Sequence, residues 1–173
     1  MSSSSDKAVG GLSWVLQTKI RPVASSLKPG VPFAVDVIVR NSLDHPITVL
    51  TWDSPLDPKA GILGIFQARD VEGENLIQGD FLRLRRKMPP SKESFLEIGG
   101  KKQVRARVTL PGLQLSVRTE YAIECKGRWQ AVWCRPMAEI DESLLESLTE
   151  AHLGEVLCES ESFEVEDESS GSE

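Results

Sequence analysis

Histidine is almost missing from this chain: His45 and His152 are the only two in 173 residues. Base-activated nucleophiles and imidazole-held metals therefore have little to draw on. Cysteine is scarce as well, with Cys125, Cys134 and Cys158 at irregular spacing. An odd count is poor material for a disulfide framework, so all three are expected as thiols, Cys125 buried as a small hydrophobe. Together with His152 the cysteines read C-x8-C-x17-H-x5-C. Structural zinc sites favour ligand pairs two to four residues apart, and no pair here has that spacing. No metal and no cofactor is expected. Aromatic residues make up 6% of the chain, too few for the base-stacking platforms of single-strand binders, so nucleic acid is an unfavoured partner. No apolar run approaches the roughly 18 residues that cross a bilayer, which argues against a membrane. The serine cluster from Met1 to Lys7 has neither a basic nor an apolar signal region, so a cytoplasmic protein is expected.

Charge is present but unevenly placed. From Glu139 to Glu173 there are 13 acidic residues and no Lys or Arg, whereas Met1 to Ala138 holds all 20 basic residues against 13 acidic, a local charge of +7. The net charge of −6 thus combines a mildly basic body with an acidic C-terminal segment.

The body alternates with a period of two, the pattern of half-buried strands. Expected strands are 15–21, 33–40, 47–52, 62–69, 81–88, 95–98, 104–110, 121–126 and 163–165, with Pro29-Gly30, Asn41–Pro46, Val71–Asn75, Pro89-Pro90, Gly99-Gly100 and Pro111-Gly112 as turns. Asp53–Gly61, with two prolines and a glycine, reads as a loop. Neither Gly10-Gly11 nor Gly99-Gly100 has the spacing or the following helix of a phosphate loop. Ile140–Leu153 breaks the strand rule: Ile140, Leu144, Leu145 and Leu148 fall at helical spacing opposite acidic residues. The expected architecture is all-β, an immunoglobulin-like antiparallel sandwich over 13–166 with a short acidic helical insertion at about 139–154, before the last strand. Residues 1–12 and the acidic tail 167–173 are expected to be disordered.

The order of Val37–Ser42, Val49–Leu56, Phe66–Gly73, Arg85-Arg86 and Phe95–Gly100 resembles the β-rich N-terminal region that precedes the catalytic domain of fungal deuterolysin-type metallopeptidases. The resemblance covers roughly Gln17 to Lys126 and implies a fungal sandwich domain. It carries over no peptidase residue, because the HExxH zinc helix is absent: the sequence around the second histidine is His152-Leu-Gly-Glu-Val156. Those peptidases are secreted, whereas this chain shows no signal. The resemblance therefore implies the sandwich alone, put to another use inside the cell.

Three features remain as candidates for function. Arg83, Arg85, Arg86 and Lys87, with Lys101, Lys102, Arg105 and Arg107, form a basic face if their strands are neighbours. Trp129 and Trp133 fall on one side of a regular strand and form a paired aromatic patch there, in the core or exposed as a partner hot spot. The acidic segment can screen the basic body. The favoured reading is a non-enzymatic intracellular protein-interaction module with an unidentified protein partner. An alternative is a peptidase inhibitor presenting Asp53–Gly61 or Pro89–Glu93 to an active-site cleft, and a remoter one is a cysteine hydrolase using Cys158 with His152.

Overall fold

The computed structural model describes residues 12–28 and 30–166. Residues 12–15 form a helical turn that leads into the strands β1 (Leu16–Pro22), β2 (Ala34–Asn41), β3 (Ile47–Leu50), β4 (Phe66–Asp70), β5 (Leu76–Ile77), β6 (Phe95–Ile98), β7 (Gln103–Thr109) and β8 (Glu120–Trp133). A short helix α1 (Glu142–Ser147) follows, then β9 (His152–Glu159) and β10 (Phe163–Glu164). Two antiparallel sheets result. One has the order β1-β2-β7, and the other runs β5-β4-β8-β3-β6 with β9 and β10 also paired to β8. Helix α1 therefore precedes the last two strands. Of the expected disordered N-terminus, Leu12 is instead buried in the core; residues 1–11, with the Gly10-Gly11 turn, and 167–173 lie outside the described residues, as does Pro29.

The sandwich core follows from strand alternation. Val35, Val37 and Val39 of β2 face the same interior as Ile47 and Val49 of β3 and Ile123, Cys125, Trp129 and Val132 of β8. A second, smaller apolar layer lies on the other face of the larger sheet, where Leu50, Phe95, Ala131 and Trp133 are covered by Ile140 and Leu145. The acidic segment is therefore mostly structural: its leucines and isoleucine close this outer layer, while its later residues supply β9 and β10.

Strand β8 serves both layers by means of a bulge. Trp129 is opposite Gly154, but Val132 is opposite His152, so β8 carries one residue more than β9 between these positions. The extra residue reverses the facing of everything beyond it. Trp129 enters the sandwich core and Trp133 the outer layer, both almost fully buried. The expectation that they share one side fails for this reason, and they form no exposed patch.

Three expected elements end differently. Residues 81–88 mix apolar and basic residues but pair with no described strand; they run largely exposed along the surface between β5 and β6. The strand expected from Ile62 begins only at Phe66, because Ala60–Ile62 forms a 3-10 turn and Gly64 adopts a left-handed φ of 77°. The helix expected to reach Leu153 stops at Ser147, where Leu148 takes a left-handed conformation (φ 59°).

Asn41 fastens the turn between β2 and β3. Its side chain is fully buried, donates through Nδ2 to the carbonyls of His45 (2.8 Å), Ile98 (3.0 Å) and Gly99 (3.1 Å), and accepts the Leu43 N–H at Oδ1 (2.9 Å). Asn41→Ala removes these four hydrogen bonds, and urea unfolding should show a loss of about 2 kcal/mol.

Candidate functional site: a buttressed surface strap

The loop between β3 and β4 is organised by one carboxylate. Asp57, 3% exposed, accepts the N–H of Asp53 at Oδ2 (2.8 Å) and that of Lys59 at Oδ1 (2.9 Å), so the loop folds around its side chain. Oδ2 also forms an ion pair with Nη2 of Arg86. The Arg86 guanidinium lies 5.5 Å over the Trp52 ring. Gly61 lets the end of this loop press on β7, since a Cβ there would sit 2.0 Å from the Thr109 carbonyl oxygen.

Residues 78–88 form a strap held against this base by its backbone as well as by Arg86. The Asp80 N–H donates to the Pro111 carbonyl (2.8 Å) and the Leu82 N–H to the Ile62 carbonyl (2.6 Å). Between and beyond these ties the side chains face solvent. Phe81 is 53% exposed, Leu82 58%, Leu84 40% and Met88 53%, and Arg83, Arg85 and Lys87 are exposed beside them. The result is a fixed backbone carrying interleaved apolar and cationic groups.

Of the expected basic face, only the strap stays together as a unit. Arg105 and Arg107 belong to β7 in the smaller sheet, where Arg107 Nε donates to Asp36 Oδ1 (2.9 Å) and holds that carboxyl below its ordinary pKa. Lys101 lies in the β6–β7 turn, where its Nζ donates to the Ser42 carbonyl. Arg86 is part of the strap's anchor rather than its free surface. Acidic residues beyond Ala138 answer some of the body's charge: Arg69 pairs with Glu159, and Arg135 with Glu150 at 3.7 Å. The role of Asp57 leaves only a faint trace in the sequence, an aspartate in a proline-rich turn.

The residues of the hydrolase alternative are not brought together. His152 and Cys158 stand at opposite ends of β9, six residues or roughly 20 Å apart along the strand. His45 is an exposed turn residue beside Asp44 (3.1 Å). Among the described residues no group of three or more His, Cys, Asp or Glu side chains is arranged to hold a metal. An apolar cleft of 600 Å³ opens at one end of the sandwich between Phe33, Leu110, Leu113, Leu115 and Val165. Among the described residues Lys28 is the one charged residue in its wall.

The expected cytoplasmic location does not stand. A relative from the fungus Arthroderma benhamiae, 36% identical over 143 residues that make up 80% of this chain and 72% of the relative, is an "uncharacterized secreted protein". Residues 22–166, from the end of β1 to just past β10, match the family model of the immunoglobulin-like domain. With two antiparallel sheets packed on a common core and that match spanning nearly all of the described fold, the chain belongs to the immunoglobulin-like domain family.

Proposed function

We propose that the protein is a non-enzymatic, extracellular protein-binding module whose strap docks through residues 81–88 on an acidic partner surface. The observation that carries this reading is the strap itself, which exposes four large apolar side chains among three cations on a backbone fixed from below. Clustered exposed apolar groups mark interaction sites, and a loop already held in place loses little entropy on binding. The cations add steering towards negative charge. The secreted relative supports placing the encounter outside the cell. The triple variant Arg83→Glu, Arg85→Glu, Lys87→Glu should lose at least tenfold in affinity for any partner that the natural chain cross-links in culture filtrate. Its thermal midpoint should stay within about 1 °C, because exposed surface changes cost little. Equal cross-linking by both proteins would remove the strap from the function.

A second reading, a peptidase inhibitor, draws on the same loop. Arg83-Leu84-Arg85 lies between two ties, Leu82 to Ile62 and Arg86 to Asp57, which is the rigid presentation a peptidase cleft requires. The resemblance to a peptidase-associated sandwich adds to it. Inhibition of a serine or metallopeptidase that disappears in Arg83→Ala and Arg85→Ala would support this reading. No slowing of any member of such a panel would remove it.

A further inference from the structure

Strand β9 has a partner on one side only among the described strands, namely β8. In that ladder Cys125 and Cys158 are direct register partners. Opposite residues of an antiparallel pair put their side chains on the same face, with Cα atoms about 4.5 or 5.5 Å apart. Both values lie inside the ~4.4–6.8 Å span of disulfides. Their Cβ atoms lie about 4.5–5.5 Å apart, roughly an ångström wider than a disulfide favours. An edge strand that pairs with no other described strand can make that approach. Both sulfurs face the sandwich core: Cys125 is fully enclosed, and Cys158 packs against the same cluster. Cys158 also lines a cleft of 210 Å³ with Leu16 and Trp129.

We propose that Cys125 and Cys158 close a cross-strand disulfide, fastening the edge strand β9 to β8, when the chain meets a thiol–disulfide oxidant such as oxidised glutathione. Both residues are thiols in this structure. In the first step Cys158 gives up its proton and its thiolate attacks one glutathione sulfur. The glutathione S–S bond breaks, one glutathione leaves as a thiolate, and that thiolate takes up a proton. Cys125 then gives up its proton and attacks the Cys158 sulfur, expelling the second glutathione, which is protonated in turn. Two cysteine thiols are oxidised by two electrons and one glutathione disulfide is reduced to two thiols.

Local chemistry sets the order of attack. A hydrogen bond from the Cys125 thiol to Cys158 holds the Cys158 pKa down and the Cys125 pKa up. Cys158 therefore provides the thiolate, and it is the one reached from the cleft. Cys125 needs no access, because its step is internal. Cys134, half-buried just beyond β8, has its thiol pushed up by burial and stays out of the exchange.

The test uses the full chain, incubated with oxidised glutathione at mildly alkaline pH, then denatured without reductant, alkylated and digested. The expected result is one alkylated cysteine, Cys134, a loss of two hydrogens in mass, and a linked peptide joining Cys125 to Cys158. The link closes a loop of about thirty residues, so the oxidised protein should melt about 10 °C above the reduced one. Cys134→Ser should keep the link, and Cys158→Ser should abolish it together with the oxidation-dependent shift. Three alkylated cysteines, glutathione left on Cys158 with no linked peptide, or a link through Cys134 would each overturn the proposal. No binding partner enters this test, so it stands or falls apart from the function of the strap.

Discussion

Trp133→Ala is expected to destabilise the protein by about 3–5 kcal/mol, the range for removing a large aromatic from a closed core. The ring is 1% exposed and lies 5.9 Å from that of Phe95, centroid to centroid. Its Nε1–H donates to the Thr149 carbonyl (3.1 Å), which ties the chain after α1 back to the sheet. Truncation loses the packing and leaves that carbonyl without its donor. The midpoint of thermal unfolding should fall by about 10 °C, and Trp133→Phe, which keeps most of the ring, should recover over half of the loss. Trp14 provides the contrast. It is 79% exposed, and its alanine variant should lie within about 0.5 kcal/mol of the natural protein. Equal effects at the two positions would refute the two-layer description of the larger sheet.

Asp57→Ala is expected to cost about 3 kcal/mol and to release the strap. The substitution removes the acceptor of two backbone N–H groups and strands Arg86, whose side chain is 22% exposed. Breaking a buried pair from one side costs about 3–5 kcal/mol, and the partial exposure of Arg86 places this case at the low end. Urea unfolding gives the stability. Limited trypsin digestion gives the release: cleavage among Arg83, Arg85, Arg86 and Lys87 should accelerate at least tenfold as the bonds come free of their support. Asp57→Asn, whose one amide oxygen can still accept from either Asp53 or Lys59 but not from both, should unfold at intermediate urea and be cleaved at an intermediate rate. An Asp57→Ala chain cleaved at the natural rate would mean that the strap is held by its backbone ties alone.

Much of the fold was legible because strand alternation survives wherever one face meets the core. Val35, Val37 and Val39, or Tyr121, Ile123 and Cys125, announce their strands directly. The expectations failed where alternation alone is ambiguous. Phe81-Leu82-Arg83-Leu84 has the composition of a strand, but β4 is bordered by β8 and the two-residue β5, so the segment has no ladder to join. The length of β8 was hidden by its own bulge, which breaks the period of two between Trp129 and Val132. The facing of Trp133 was lost with it. The strap's anchor was harder still to see, since the partnership of Asp57 with Arg86 spans separate loops and rests on three-dimensional closure. The register of Cys125 with Cys158 depends likewise on a strand that began as the expected end of a helix.

The central position of β8 also has a consequence for how the chain is made. β1, β2 and β7 are complete once Thr109 has emerged, so the smaller sheet can assemble early from a local hairpin and one returning strand. The larger sheet cannot. β3, β4, β9 and β10 all hydrogen-bond to β8, which ends only at Trp133. During synthesis β3 and β4 must therefore each wait with one edge unpaired, and ordering them late closes long loops all at once. The interval between Thr109 and Trp133 is when the nascent chain is most open to wrong pairing.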